Sequence, residues 1–72
     1  MNWADAEAGV LTGTQTAYQS SGWTSPIEGL VLYEGAIWLA GETYISEFTP
    51  TEEQQNATNW VLAPYNGDLP PR

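Results

Sequence analysis

Cysteine and histidine are both missing from these 72 residues, and Arg72 is the only basic side chain. Each absence closes a class of function. Without cysteine there is no disulfide framework, and without either residue the usual zinc and iron sites have no ligands. With one cation in the whole chain, phosphates find almost nothing to neutralise them, which excludes nucleic acid and anionic membrane surfaces as partners. No Cys, His or Lys is present to act as nucleophile or base, so the chain does not read as an enzyme. No apolar run approaches the ~20 residues that cross a bilayer. The first seven residues, Met1 to Glu7, lack the basic segment and apolar stretch of a signal peptide, so a protein made in the cytoplasm is expected.

What remains is acidic and apolar at once. Nine carboxylates against one arginine give a net charge of −8, yet 42% of the residues are hydrophobic and four are tryptophan, too much apolar mass for a solvated tail. The size is marginal for a lone fold. Burial of ~4,200 Å² of apolar surface is worth roughly 105 kcal/mol, against roughly 108 kcal/mol for ordering the chain. Small domains of this kind add a disulfide, a metal or a partner, and association is the one of these the composition leaves open.

The most informative stretch is Gly29-Leu30-Val31-Leu32-Tyr33-Glu34-Gly35-Ala36-Ile37-Trp38-Leu39-Ala40. Two short apolar runs flank a two-residue Glu-Gly loop, the signature of a β-hairpin in which glycine takes a positive φ at no steric cost. With Glu34 and Gly35 as the loop, Tyr33 opposes Ala36, Leu32 opposes Ile37, Val31 opposes Trp38, and Leu30 opposes Leu39. Side chains alternate between faces, so Val31, Tyr33, Ala36 and Trp38 share one and Leu30, Leu32, Ile37 and Leu39 the other. Neither face is polar. A surface hairpin normally keeps one wet face, so this one requires apolar cover on both sides.

Around the hairpin, residues 1–22 read as an N-terminal arm, with a helical turn capped by Asn2 through Glu7 and a short strand near Thr14 to Tyr18. Residues 23–63 form the small β domain. Ser25-Pro26 marks a turn before the hairpin, Glu42 to Phe48 alternates as a third strand, Thr51 caps one helical turn, and Asn59 to Ala63 gives a final strand around Trp60. Residues 64–72 are a Pro-rich tail. The fold class is therefore all-β: a small three- to four-stranded antiparallel sheet with a central hairpin and extended N- and C-terminal arms.

The order Gly29, Val31, Tyr33, Gly35, Trp38, Ala40, followed by Pro50 and Trp60-Val61-Leu62, resembles the small chitin-binding-like carbohydrate-binding modules of families five and twelve. Similar short modules occur in tail fibres, baseplates and other structural proteins of bacteriophages. The resemblance spans residues 26–63. It implies that Tyr33, Trp38 and Trp60 are framework aromatics of the core, and that sugar binding would fall to Tyr44.

Other constellations carry less. Glu42 and Glu47 would need a cleft between them to cleave a glycosidic bond. Glu52-Glu53 and Asn66-Gly67-Asp68 offer oxygen ligands without the spacing of a calcium loop, and Asn-Gly-Asp reads as a turn. Neither metal nor cofactor is expected. The Asn56-Ala57-Thr58 sequon matters only on a secretory route.

The reading that joins these features is a virion structural accessory protein, a capsid decoration or cement subunit or a fibre or tail component, acting by adhesion. It implies a homo-oligomer, with a trimer favoured, in contact with the major capsid or another virion protein. Leu30, Leu32, Ile37 and Leu39, with Trp3, Val10 and Leu11 from the arm, are the expected subunit interface. The alternative is a free-standing polysaccharide-binding module using Tyr44 and Trp23.

Overall fold

The computed structural model describes residues 1–23 and 28–65. The expected Ser25-Pro26 turn and the Asn66-Gly67-Asp68 turn with its Pro-rich tail lie outside the described residues. The fold is mostly β, as its sequence implies: a five-stranded antiparallel sheet with two short helices. In chain order the elements are α1 (Trp3–Leu11), β1 (Gln15–Gln19), β2 (Gly29–Tyr33), β3 (Ala36–Ala40), β4 (Ile45–Glu47), α2 (Glu52–Asn56) and β5 (Trp60–Pro64). The strands lie in the order β4-β3-β2-β1-β5. The chain thus meanders outward from β2 to β4, then returns through α2 to place β5 beside β1.

The central hairpin has the register its sequence dictates, with Leu30 opposite Leu39, Val31 opposite Trp38, Leu32 opposite Ile37 and Tyr33 opposite Ala36. Both loop residues have positive φ, +51° at Glu34 and +77° at Gly35. That is the pattern of a type I′ turn, whose twist matches the flanking strands. Gly35 adopts it freely, whereas Glu34 carries the steric cost of a Cβ in the left-handed region.

The N-terminal segment departs from the extended arm expected beyond Glu7. The Asn2 side chain accepts from the Asp5 amide at 2.9 Å and caps a helix that continues to Leu11. Gly13, at φ +80°, then turns the chain out, its amide donating to the Val10 carbonyl at 3.0 Å. The buried face of α1 is Ala6, Gly9 and Val10, with Trp3 half-buried one turn earlier. Helical spacing is present, but its side chains are so small that the stripe looks weak in sequence. Gly9 shows why they must be small: a Cβ built there falls 2.4 Å from a Leu62 methyl.

Cross-strand neighbours share a face, so the registers sort the sheet into two sides. Ala17, Leu30, Leu39, Leu62 and Trp60 point one way. They pack with Ala6 and Val10 of α1 into the buried cluster. The second helix closes the same side, because the buried Trp60 donates its indole N–H to the Gln54 carbonyl of α2 at 2.9 Å. Thr51 and Gln54 hold α2 with a reciprocal capping box. Tyr18, Val31, Tyr33, Ala36, Trp38, Ile45, Val61 and Ala63 point the other way. Among the described residues, both helices lie on the first side.

Replacing Glu34 with Asn, which tolerates positive φ, is expected to stabilise the protein by about 0.5–1 kcal/mol, raising the thermal midpoint by roughly 3–6 °C. A thermal melt followed by circular dichroism reads this directly, and an unchanged or lowered midpoint contradicts the turn assignment.

Candidate functional site

The residues singled out as a subunit interface are mostly core. Leu30 and Val10 are fully buried, and Ile37 and Leu39 pack against the same cluster. Leu32 is half-buried below the C-terminal end of α1, with a methyl 3.6 Å from where a Gly13 Cβ would stand. Leu11 differs, at 47% exposed on the outer side of the helix. The physical reason is α1 itself: the segment read as an arm reaching to neighbours folds back and shields this side of its own sheet.

Trp3 and Trp23 are corrected in the same way. Trp60 sits in the core at 1% exposed, with Trp3 at 4.9 Å and Trp23 at 5.5 Å between ring centroids. Phe48 touches both outer rings, at 6.1 Å from Trp3 and 6.4 Å from Trp23. These tilted and edge-on arrangements are those aromatic quadrupoles favour. The Trp23 indole N–H donates to the Glu28 carbonyl at 2.9 Å, so its polar edge is held too. Residues 3, 23, 48 and 60 are far apart in the chain, and nothing in local spacing announces that they meet.

Of the three aromatics expected in the core, Trp60 is there, while Tyr33 and Trp38 are half-buried on the opposite side of the sheet. They meet edge to face at 5.4 Å and 87°. Val31 lies beside Trp38 on that side and is 1% exposed, and Ile45 on β4 is buried as well. Tyr18, Val61 and Ala63 extend this apolar surface across β1 and β5, with Ala36 exposed at the hairpin end. The continuous apolar run Val61-Leu62-Ala63 is the available signal in β5, since successive residues of a strand face opposite sides.

The charges are arranged around this surface. Asp5 and Glu7 on α1 and Glu52 and Glu53 on α2 are exposed on the helical side. Glu34 stands at the hairpin tip, Glu42 in the β3–β4 loop, and Glu47 on β4 opposite Trp38. Tyr44, 41% exposed, lays its ring over Gly41 and donates its hydroxyl to the Glu28 carboxylate. That hydrogen bond, followed by desolvation and the negative charge of Glu28, raises the Tyr44 pKa above the usual tyrosine value. Tyr44 is thus the exposed aromatic that sequence reasoning singled out.

A polar concavity of about 770 Å³ lies on the opposite flank, lined by Gln19, Ser21, Thr51, Glu53, Asn56 and Asn59 among others. Its wall is stiffened by Asn59, which accepts from Gln19 and donates to both oxygens of Ser21, each at 3.0 Å. Among the described residues, no group of three or more His, Cys, Asp or Glu is placed to hold a metal ion. No described helix is long and apolar enough to cross a membrane. Glu42 and Glu47 are both exposed.

No family model, curated protein or solved structure matches this chain.

Two measurements check the site's layout. Trp60→Ala, which empties the centre of the aromatic cluster and removes the indole that ties the sheet to α2, is expected to cost about 3–5 kcal/mol and leave the chain largely unfolded at room temperature. Glu28→Gln removes the charge beside Tyr44, so the Tyr44 hydroxyl is expected to ionise at lower pH than in wild type, read by ¹³C-tyrosine NMR. An unmoved titration contradicts the contact.

Proposed function

We propose that this chain is a virion structural accessory protein, of the capsid decoration or cement kind or a fibre or tail component, working by adhesion. The observation that carries the reading is the sheet side opposite the helices, whose apolar residues run from the exposed Ala36 past the buried Val31 to the half-buried Tyr18, Val61 and Ala63. A layer against it buries further apolar area, and a chain of this size has little other means of gaining stability. The side expected to serve the interface is exchanged for its opposite, but the principle is the same: two apolar faces need two covers.

The charge distribution supports the orientation. Asp5, Glu7, Glu52 and Glu53 are exposed on the helical side, so a docked subunit turns these four carboxylates outward, and net charge keeps the free protein soluble before assembly. Adhesion of this kind needs neither cofactor nor metal. Its partners are a further copy of the chain and the major capsid or another virion protein. The virion is the proposed location.

A second reading, binding of a polysaccharide, is favoured by one feature. Tyr44 presents a half-open ring whose position is braced by Gly41 and Glu28. Trp23 is half-buried against Trp60 and Phe48, which leaves Tyr44 the more open ring.

Co-sedimentation with intact particles of the virus that encodes the chain separates these readings. Wild type is expected to pellet with particles. Ala36→Asp and Tyr18→Ser are expected to stay in the supernatant with circular dichroism unchanged. Equal pelleting of both variants removes the adhesive reading. Retention on an insoluble glycan, lost in Tyr44→Ala, establishes the second reading in its place.

A further inference from the structure

The polar concavity where α2 and its exit meet the end of β1 has a lining that selects its occupant: we propose that it binds an uncharged oligosaccharide through the hydroxyls of a hexose unit. This does not rest on adhesion through the sheet. It also lies apart from Tyr44, which follows β3 on the other half of the sheet.

The hollow exists because two short polar segments leave the sheet together. β1 ends at Gln19 and runs through Ser20 and Ser21 to Gly22, whose φ of +72° turns the chain aside. Facing it, α2 stops at Asn56, and Ala57, at ψ +149°, returns the backbone to an extended path toward Trp60. A volume of about 770 Å³ lies between them, within the roughly 300–1,000 Å³ of small-ligand sites. A second hollow of about 500 Å³ shares Gln19, Ser21 and Gly22 and continues to Tyr18 and Trp23, which lengthens the groove.

Both walls are fixed in advance. Asn59 accepts from Gln19 and donates to both oxygens of Ser21, each at 3.0 Å, and its carbonyl accepts from the Ser20 amide at 3.0 Å. The opposite wall, α2, is closed by its capping box and pinned by the Trp60 indole on the Gln54 carbonyl. A frame set before binding lowers the ordering cost of the complex. Along this frame Glu53, Asn56 and Thr58 present exposed side chains that make no hydrogen bond among the described residues.

Those three groups match a polyol. An amide offers one acceptor and two donors, a carboxylate accepts only, and a threonine hydroxyl does either. A sugar hydroxyl both donates and accepts, so each group finds its complement. Other occupants meet obstacles. A phosphate, sulfate or carboxylate faces Glu53 with no cation to hold it. Among the described residues the one positive charge is the Met1 amino group, which donates to the Thr58 and Trp60 carbonyls at 3.1 and 2.9 Å. A net charge of −8 repels anions further. A lipid or an apolar peptide anchor has little to rest on, since Ala57 is the one apolar side chain among the described residues lining the first hollow.

Titration of the ¹⁵N-labelled full chain with maltohexaose and with cellohexaose, to ~10 mM and at about 0.01 M and 0.5 M salt, tests this by two-dimensional NMR. Expected with at least one sugar is a saturating shift of the Asn56 side-chain amide and the Thr58 and Asn59 backbone amides, with a Kd of about 0.1–5 mM that salt leaves unchanged. Asn56→Ala and Thr58→Ala, both at exposed positions, are expected to weaken binding roughly 5-fold or more while the rest of the spectrum stays folded. No saturating shift with either sugar overturns the inference, as do equal shifts from glycerol at matched hydroxyl concentration or equal binding in both variants. Shifts centred on Gly41 and Tyr44 overturn it too and give glycan binding to the second reading, while pelleting with virus particles is untouched by any of these results.

Discussion

One sheet apolar on both sides, with both described helices packed on the same side, is the constraint on which this molecule turns. An antiparallel sheet usually resolves its needs by being greasy on one side and wet on the other. Here the central hairpin is apolar on both, because Leu30, Leu32, Ile37 and Leu39 alternate with Val31, Tyr33, Ala36 and Trp38. Folding satisfies the first set with α1 and α2. The second set gathers further apolar neighbours from β1, β4 and β5, and so defines the surface where function is proposed.

The helical side is closed by a few large groups and several small ones. Trp60 fills the middle, its indole N–H satisfied by Gln54, and Trp3, Trp23 and Phe48 surround it. Ala6, Gly9 and Val10 let α1 approach the sheet closely. Large rings at one end and small residues at the other make a thin helix-on-sheet layer sufficient, which is how so short a chain acquires a buried cluster without disulfide or metal.

Legibility in sequence followed the range of the interaction. The hairpin and its register were readable because a two-residue loop and its flanks determine one another locally. Thr51 announced α2, since capping is also local. Most of α1 was not readable: its stripe of Ala6, Gly9 and Val10 carries little hydrophobic signal, and its burial comes from the sheet it meets. Alternation shows that residues divide between two sides, but not which side a distant helix will cover. That is why the sequence alone points Leu30 and its neighbours outward and Tyr33 and Trp38 inward. Trp3 and Trp23 read as contacts to a neighbouring subunit for the same reason, as their partner Trp60 lies 57 and 37 positions away.

The most direct test of the account is how open the Val61 and Ala63 methyls are in dilute, low-salt protein, measured by NMR relaxation from a neutral soluble paramagnetic agent. The account predicts strong relaxation at those methyls, weak relaxation at Val10 and Leu30, and loss of the contrast on assembly. Val61 and Ala63 shielded as fully as Val10 in the isolated chain would contradict it, since that side would then already have its cover.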